Sequence, residues 1–412
     1  SDGDSRYYDD IDISVSRPGD LDRDYDVDIF DVELLVAQWL SPECNPANDW
    51  CSGADQSAGG DVALEDYGIT AANWFAGVYP APPQDLKAEA GENAISLSWA
   101  DNTETDLAGY NIYRSTAPGS GYTRLNELLL TEPNFIDSNV VSLLTYYYAV
   151  TACDTYGFES DFSAEISAGT GPQPVAKYIA GLGVKTADLY VTKWEDQAGN
   201  KDAAQTDAEF RPVLASRAIN AQPAIAFDGT GRHLDVGDSD EINTGGPYSA
   251  KTLVVVFKTS SDITSRQVIW EQGGGVRGLN IYLDAGNLYI NGWNTQEDEP
   301  QWGPTGLNTP VLRDRSYVAT LVMDSDSGLF EGFVNGASIG VSEGIGQLYG
   351  HSNDCALGHV EGATKFHDLT NNDGPANFLG MIAEFYHFNQ ALAPSDRQTL
   401  ESLLIDKYAI AF

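Results

Sequence analysis

The chain has 412 residues, 42% of them apolar, with 61 Asp or Glu against 22 Lys or Arg and a formal net charge of -39. Acidity on this scale makes nucleic acid and anionic membrane poor partners, and no run of about twenty apolar residues exists to span a bilayer as a helix. The length allows two to four domains, each large enough for its own core.

Residues 1–18 are polar and acidic, with Ile11, Ile13 and Val15 in alternation. That alternation predicts a short strand with no evident partner nearby in sequence. It is a remnant of a preceding domain, an edge strand for a later one, or a strand donated to another molecule. The chain begins at Ser1 with neither Met nor a leader peptide, and is read as a mature or truncated product.

Residues 19–40 read GDLDRDYDVDIFDVELLVAQWL. Counted from Asp20, the acids Asp20, Asp22, Asp24, Asp26, Asp28 and Asp31 occupy positions 1, 3, 5, 7, 9 and 12, the ligand spacing of a calcium loop running into a helix. So many carboxylates this close repel unless a hard cation neutralises them. Two positions depart from the EF-hand pattern: Tyr25 stands where Gly is expected, and Asp31 replaces Glu. The apolar residues Leu34, Leu35, Val36, Trp39 and Leu40 predict a helix to Leu40. The stretch has a copy 35 residues on: Asp20 maps to Asp55, Asp26 to Asp61, Asp31 to Asp66 and Trp39 to Trp74. Ser57, Gly59 and Ala63 replace three of the acids there, so the second loop is depleted. Across residues 19–79 the duplication resembles the dockerin family, two calcium loops each followed by a helix. The resemblance implies Ca2+ as cofactor and a cohesin-like partner. In loop one it implies side-chain oxygens from Asp20, Asp22 and Asp24, the carbonyl of Asp26, Asp28 directly or through water, and the Asp31 carboxylate. Asp55, Ser57, Asp61 and Asp66 are their counterparts in loop two. Trp39 and Trp74 are expected to pack the two helices together. Residues 1–79 hold 18 acidic against 3 basic residues, leaving -15, which suits bound cations.

Cys44 and Cys51 lie between the two loops, at a spacing that fits no zinc pattern and with no histidine near. They are predicted to form a disulfide, which together with a calcium loop points to an oxidising exterior and a secreted or cell-surface location.

PAPP at residues 80–83 is a stiff linker. The alternating runs AISLSW (94–99), GYNIYR (109–114) and TYYYAVTA (145–152) predict strands at sandwich spacing. Residues 80–171 resemble a fibronectin type III domain, which implies an Ig-like β-sandwich and says nothing of function. By period-2 logic Tyr146, Tyr148, Val150 and Ala152 face inward, so Cys153 points outward. It and Cys355 either bridge or remain thiols.

Residues 172–412 are again strand-rich. TLVVVF (252–257) reads as a buried strand, residues 279–293 as a hairpin around DAGN, and Asn335-Gly336 as a type I′ turn. Residues 378–388 read as a strand and residues 394–408 as a helix with Pro at its start. INAQPAIAFDGTGRHLDV (219–236), EGFVNGASIG (331–340) and MIAEFYHFNQALAPSDRQTLESLLIDKY (381–408) resemble the laminin-G-like, concanavalin A-like lectin fold. That implies a jelly-roll β-sandwich, in a fold that hosts lectins, spacers, adhesion domains and glucanases alike.

The glucanases of that fold carry E-x-D-x-E on one strand, which is absent here. Glu297, Asp298 and Glu299 are adjacent and lie by Pro300 in a loop. Neither G-x-S-x-G, H-E-x-x-H nor a phosphate loop occurs, so catalysis is not expected. His351, His359 and His367 recur every eight residues, a spacing that shares no face of a helix or short strand, and are read as unrelated. Tyr289, Trp293 and Trp302 stand among Asn291, Asn294, Gln296 and Gln301; rings that stack on a pyranose beside amides that meet its hydroxyls suit a sugar. The competing reading is that both tryptophans cover the sandwich.

The sequence therefore predicts a mostly β, multidomain, extracellular protein without catalysis: a small α calcium-loop module, then two sandwiches. Its role is glycan or partner binding in adhesion. The alternatives are a subunit that self-associates into a homopolymeric layer or fibre, and the non-catalytic part of a polysaccharide-degrading enzyme.

Overall fold

Two short helices, Ile29–Ala37 and Leu64–Ala72, form where each acidic loop gives way to apolar sequence. The computed structural model describes residues 18–23, 27–74, 79–91, 93–297, 299–352, 355–372 and 376–411. Residues 11–15 and the loop acids Asp24 and Asp26 lie outside these. The chain is mostly β and divides into two units, Ser1–Thr170 and Gly171–Phe412.

In the first unit, the small core of the duplicated module is Leu35, Val62, Ala54 and the joined Cys44 and Cys51. Trp39 and Trp74 do not take part: they are 40% and 38% exposed. Each helix ends before its tryptophan, at Ala37 and Ala72. Leu40 instead pairs its amide with the Val62 carbonyl, and Val62 returns a bond to Ser41, stitching the copies together.

The next seven strands make an Ig-like sandwich. Lys87–Ala90, Ile95–Ser98 and Asn134–Asp137 form one sheet; Thr123–Arg124, Leu107–Ser115, Tyr146–Asp154 and Ile166–Ala168 form the other. Ile95, Leu97, Trp99, Tyr110, Ile112, Tyr146, Tyr148, Val150 and Ala152 fill the space between. Cys153 lies on the opposite face, yet it is buried. The chain after its strand folds back, bridging Cys153 to Glu159, and Asn111 Nδ2 donates to its sulfur at 3.4 Å. Alternation assigned the face correctly; it could not see the segment that covers it.

In the second unit, Ala250–Thr259 lies between Ser316–Asp324 and Leu379–Phe388, all antiparallel. A facing layer runs Ala203–Ala204, Leu234–Val236, Cys355–Leu357, Gln267–Gly273, Arg277–Asp284, Asn287–Asn294. Trp194, Trp270, Leu253, Val255, Phe257, Ile281, Phe330 and Phe385 belong to the core. Asn335 and Gly336 both have positive φ, 50° and 81°, as a type I′ hairpin requires. Helix Pro394–Tyr408 is pinned through Glu384, whose Oε1 accepts from Lys407 Nζ and Tyr408 OH, each at 2.6 Å.

Candidate functional site

The acidic loops come first because their geometry is local. Asp31 is fully buried at the start of its helix; its Oδ2 accepts from the Asp28 amide at 2.7 Å and its Oδ1 from the Asp22 amide at 3.3 Å. Asp28 caps the same helix, accepting from Phe30 N at 2.7 Å. Carboxylate oxygens of Asp20, Asp22 and Asp31 lie within 4.8 Å of one another, and Asp20 is buried. Three carboxylates gathered at such range fit a hard divalent cation with oxygen ligands.

Loop two repeats the scaffold and satisfies it from within. Asp66 Oδ2 accepts from Ala63 N and its Oδ1 from Ser57 N, both at 2.8 Å. Burial works against the Asp66 carboxylate, but these amides prevail and hold its pKa below the ordinary value. Asp55 accepts from the amides of Gly59 and Gly60 at 2.9 and 2.8 Å and from the Ser57 hydroxyl at 3.3 Å. Asp61 is exposed. Two of the carboxylates of loop two are thus held by backbone donors.

The aromatic and amide residues singled out for sugar binding are in the second unit, and they are not at its surface. Trp293 and Asn291 are fully buried; Tyr289 and Trp302 are 9% and 6% exposed. Tyr289, Asn291 and Trp293 do share one face of strand Asn287–Asn294, but a later segment roofs it. Asn291 Nδ2 donates to Lys365 O at 3.0 Å, and the His367 ring stacks on Tyr289 at 4.0 Å. Trp293 Nε1 donates to Gly274 O at 3.0 Å. Trp302 packs into the core beside Phe330. The stacking faces and amide donors a sugar would use are already engaged.

The same sheet face carries a polar row that the sequence did not reveal. Asp235, Ala356, Glu271, Asn280 and Asn291 are successive partners across five strands, so their side chains point the same way. The roof covers the Asn280 end, where Asn280 Nδ2 meets Thr364 Oγ1 at 2.9 Å. Glu271 is fully buried, and its Oε1 accepts from Glu361 N at 3.2 Å. Burial drives its pKa well above the ordinary carboxylate value.

The Asp235 end is open. His233 and His359 stack there, centroids 4.2 Å apart and planes 26° from parallel. His233 Nε2 lies 3.3 Å from Asp235, and His359 Nε2 lies 3.2 Å from Glu361. Gln205 Nε2 is 2.8 Å from His233 Nε2. Phe210, at the edge of exposure, packs on His233 at 5.7 Å, and Arg232 lies over the half-exposed Tyr190 ring at 4.9 Å. For His359, burial leads and the neighbouring His233 adds to it, lowering the pKa; for His233, burial is outweighed by the Asp235 carboxylate and the Gly231 carbonyl, which raise it. Sequence spacing grouped His359 with His351 and His367. The informative signal was the repeated pair His233-x-Asp235 and His359-x-Glu361, which flank the ends of the paired strands Leu234–Val236 and Cys355–Leu357.

No protein-family profile matches the chain. It is 32% identical over 130 residues to an amylopullulanase of Thermoanaerobacterium saccharolyticum, covering 29% of this chain and 10% of that protein. The chain thus spans a tenth or less of the curated relatives it matches. A solved Fn3-like protein from Clostridium thermocellum is 32% identical across 22% of this chain and 94% of that one, with a TM-score of 0.21. Domain 4 of an extracellular arabinanase from Geobacillus stearothermophilus, solved with arabinotriose, is 12% identical over 56% of this chain and 98% of that one, with a TM-score of 0.38.

Proposed function

We propose that the second unit is a non-catalytic glycan-binding module, and that the chain is an accessory part of a secreted polysaccharide-acting enzyme. One observation carries this: the open end of the polar row sets the exposed rings of Phe210 and Tyr190 beside Gln205, Arg232, Asp235 and Glu361. A pyranose packs its C–H face on such rings while amide, guanidinium and carboxylate groups meet its hydroxyls. The partial similarity to an amylopullulanase supports the enzyme context and directs the choice of α-glucans as first ligands. The test is affinity electrophoresis of the full chain in gels containing pullulan, amylose or arabinan. Retardation by at least one is expected, weakened about tenfold by Phe210→Ala, the loss of one stacking ring. Equal mobility in all three gels refutes the reading.

A second reading concerns the first unit. We propose that residues 19–79 are a calcium-stabilised docking module of the dockerin kind, with Asp20, Asp22 and Asp31 supplying oxygens together with Asp24 and Asp26. Ile29, Phe30, Leu34, Val36 and Leu40 are 42–70% exposed on and after its first helix, an apolar surface suited to a cohesin-like protein. Retention on an immobilised cohesin domain in calcium, and release by EGTA, is the expected result; no retention in calcium defeats it.

A further inference from the structure

His233 and His359 come from different strands' ends, yet their rings meet, and Glu361 meets them both. We propose that His233, His359 and Glu361 bind a divalent transition-metal cation of the zinc class, a site separate from the calcium loops.

The geometry is that of a partly assembled cage. One ligand atom from each of the three residues lies within 4.8 Å of the other two. His233 Nδ1 lies 2.6 Å from the Gly231 carbonyl, a contact that needs the proton on Nδ1. In the neutral ring the lone pair is therefore on Nε2, where Gln205 Nε2 can donate to it, and Asp235 at 3.3 Å favours a positive charge at that atom, whether a proton or a metal ion. Anchoring the far nitrogen of an imidazole on a carbonyl is how metal-bound histidines are oriented. The Gln205 amide that now donates to Nε2 also lies 3.3 Å from Asp235 Oδ2, so it keeps an acceptor when a cation takes the lone pair. Asp235 stands ready as a fourth ligand or as a partner for Gln205.

His359 is less completely served by the protein. Its Nε2 faces Glu361, but its Nδ1 is buried with no hydrogen-bond partner. A buried polar atom left this way costs stability unless something else completes the site. Glu361 is fixed from below, its amide donating to buried Glu271, and Phe210 shields the outer side of His233. Two stacked imidazoles disfavour two positive charges, while Asp235 and Glu361 bring two negative ones. A single dication resolves both.

The donor set selects the metal. Two imidazoles with carboxylate suit zinc, and likewise nickel, cobalt or copper(II); calcium and magnesium prefer all-oxygen cages. This inference does not depend on glycan binding, because metal uptake is measured without sugar.

The experiment uses the full chain, stripped with chelator and then saturated with calcium so that the acidic loops do not compete. Zinc is titrated by calorimetry. One zinc per chain is expected, with affinity reduced about a hundredfold by His233→Ala or His359→Ala and about tenfold by Glu361→Gln, and unchanged by His351→Ala. Near-UV circular dichroism of the metal-free variants confirms that they are folded. On the unmutated chain, trace copper(II) should broaden the NMR signals of His233 and His359 and leave that of His367 sharp. No zinc uptake at millimolar ion, folded variants that bind as the parent does, or broadening at other histidines alone would each overturn the site.

Discussion

Asp66 repeats the act of Asp31. Each buried carboxylate ties the start of its acidic loop to the first turn of its helix: Asp31 through Asp22 N and Asp28 N, Asp66 through Ser57 N and Ala63 N. The duplicated module thus keeps its frame in both copies while the loops diverge. Loop one gathers Asp20, Asp22 and Asp31. Loop two gives Asp55 to the amides of Gly59 and Gly60.

That difference predicts two kinds of mutant. Asp20→Ala should lower the melting temperature of residues 19–79 more in calcium than in EGTA, because a hard cation's binding energy is folding energy in so small a module. Asp55→Ala should cost about 1–3 kcal/mol for each donor it orphans, equally with and without calcium. The sequence alone predicts the milder effect for Asp55→Ala. Calorimetric melting of both variants in each condition decides. An Asp55→Ala effect confined to calcium would mark loop two as a metal site.

Cys153 offers a second check. It is buried, and burial, reinforced by Glu159 and Asp154, raises its pKa to about 11. The thiolate that reacts is therefore scarce at neutral pH. Native protein treated with a polar maleimide should leave Cys153 unmodified, and denaturant should expose it to full labelling. Peptide mapping that finds native Cys153 labelled within minutes would contradict its place under Glu159.

What was legible follows from range. The duplicated loop–helix pattern, the Asn335-Gly336 turn and the inward set Tyr146, Tyr148, Val150 and Ala152 are written in neighbouring residues, and local rules reach them. The hairpin reading of residues 279–293 also put Tyr289, Asn291 and Trp293 on one strand. What it could not supply was the cover: the segment carrying Lys365 and His367 lies more than seventy residues on. Glu159 over Cys153 is the same case at shorter range. The His233–His359 stack was hidden for a related reason, since it depends on Leu234–Val236 pairing with Cys355–Leu357, a register no single strand encodes.

Glu384 should be a keystone for the closing helix. It is buried, and Lys407, Tyr408 and Tyr386 all donate to it. Glu384→Ala leaves two buried hydroxyls without an acceptor and should destabilise the second unit by about 2–4 kcal/mol. Hydrogen exchange should quicken first along Pro394–Tyr408. Tyr408→Phe should cost only about 1 kcal/mol, since Lys407 still meets the carboxylate. Unaltered exchange in the helix of Glu384→Ala would show that apolar packing of Leu400 and Leu404 holds it instead.

Lys251 gives the pH prediction. It is fully buried; its Nζ meets Ile242 O at 2.9 Å, Asn389 Oδ1 at 2.8 Å and His387 Nε2 at 3.1 Å, over the Tyr248 ring. Burial, only partly opposed by Cys355, lowers its pKa to about 7, whereas an unfolded lysine titrates near 10.4. Between those values the unfolded chain holds a proton that the folded chain has released. Stability of the second unit should therefore rise as pH climbs from about 7 to 10, by no more than about 4 kcal/mol, and be least favoured by this group below pH 7. Lys251→Met removes the titration. The Ile242 carbonyl keeps Gln272 Nε2 as a donor and Asn389 is exposed to water, so the variant should differ chiefly in a flatter pH dependence. Urea midpoints for both proteins from pH 6.5 to 9.5 isolate the lysine, because the other acids and bases are common to the pair. Parallel curves would mean that the carbonyl and amide acceptors hold the ammonium charged throughout, and that burial does not win at this site.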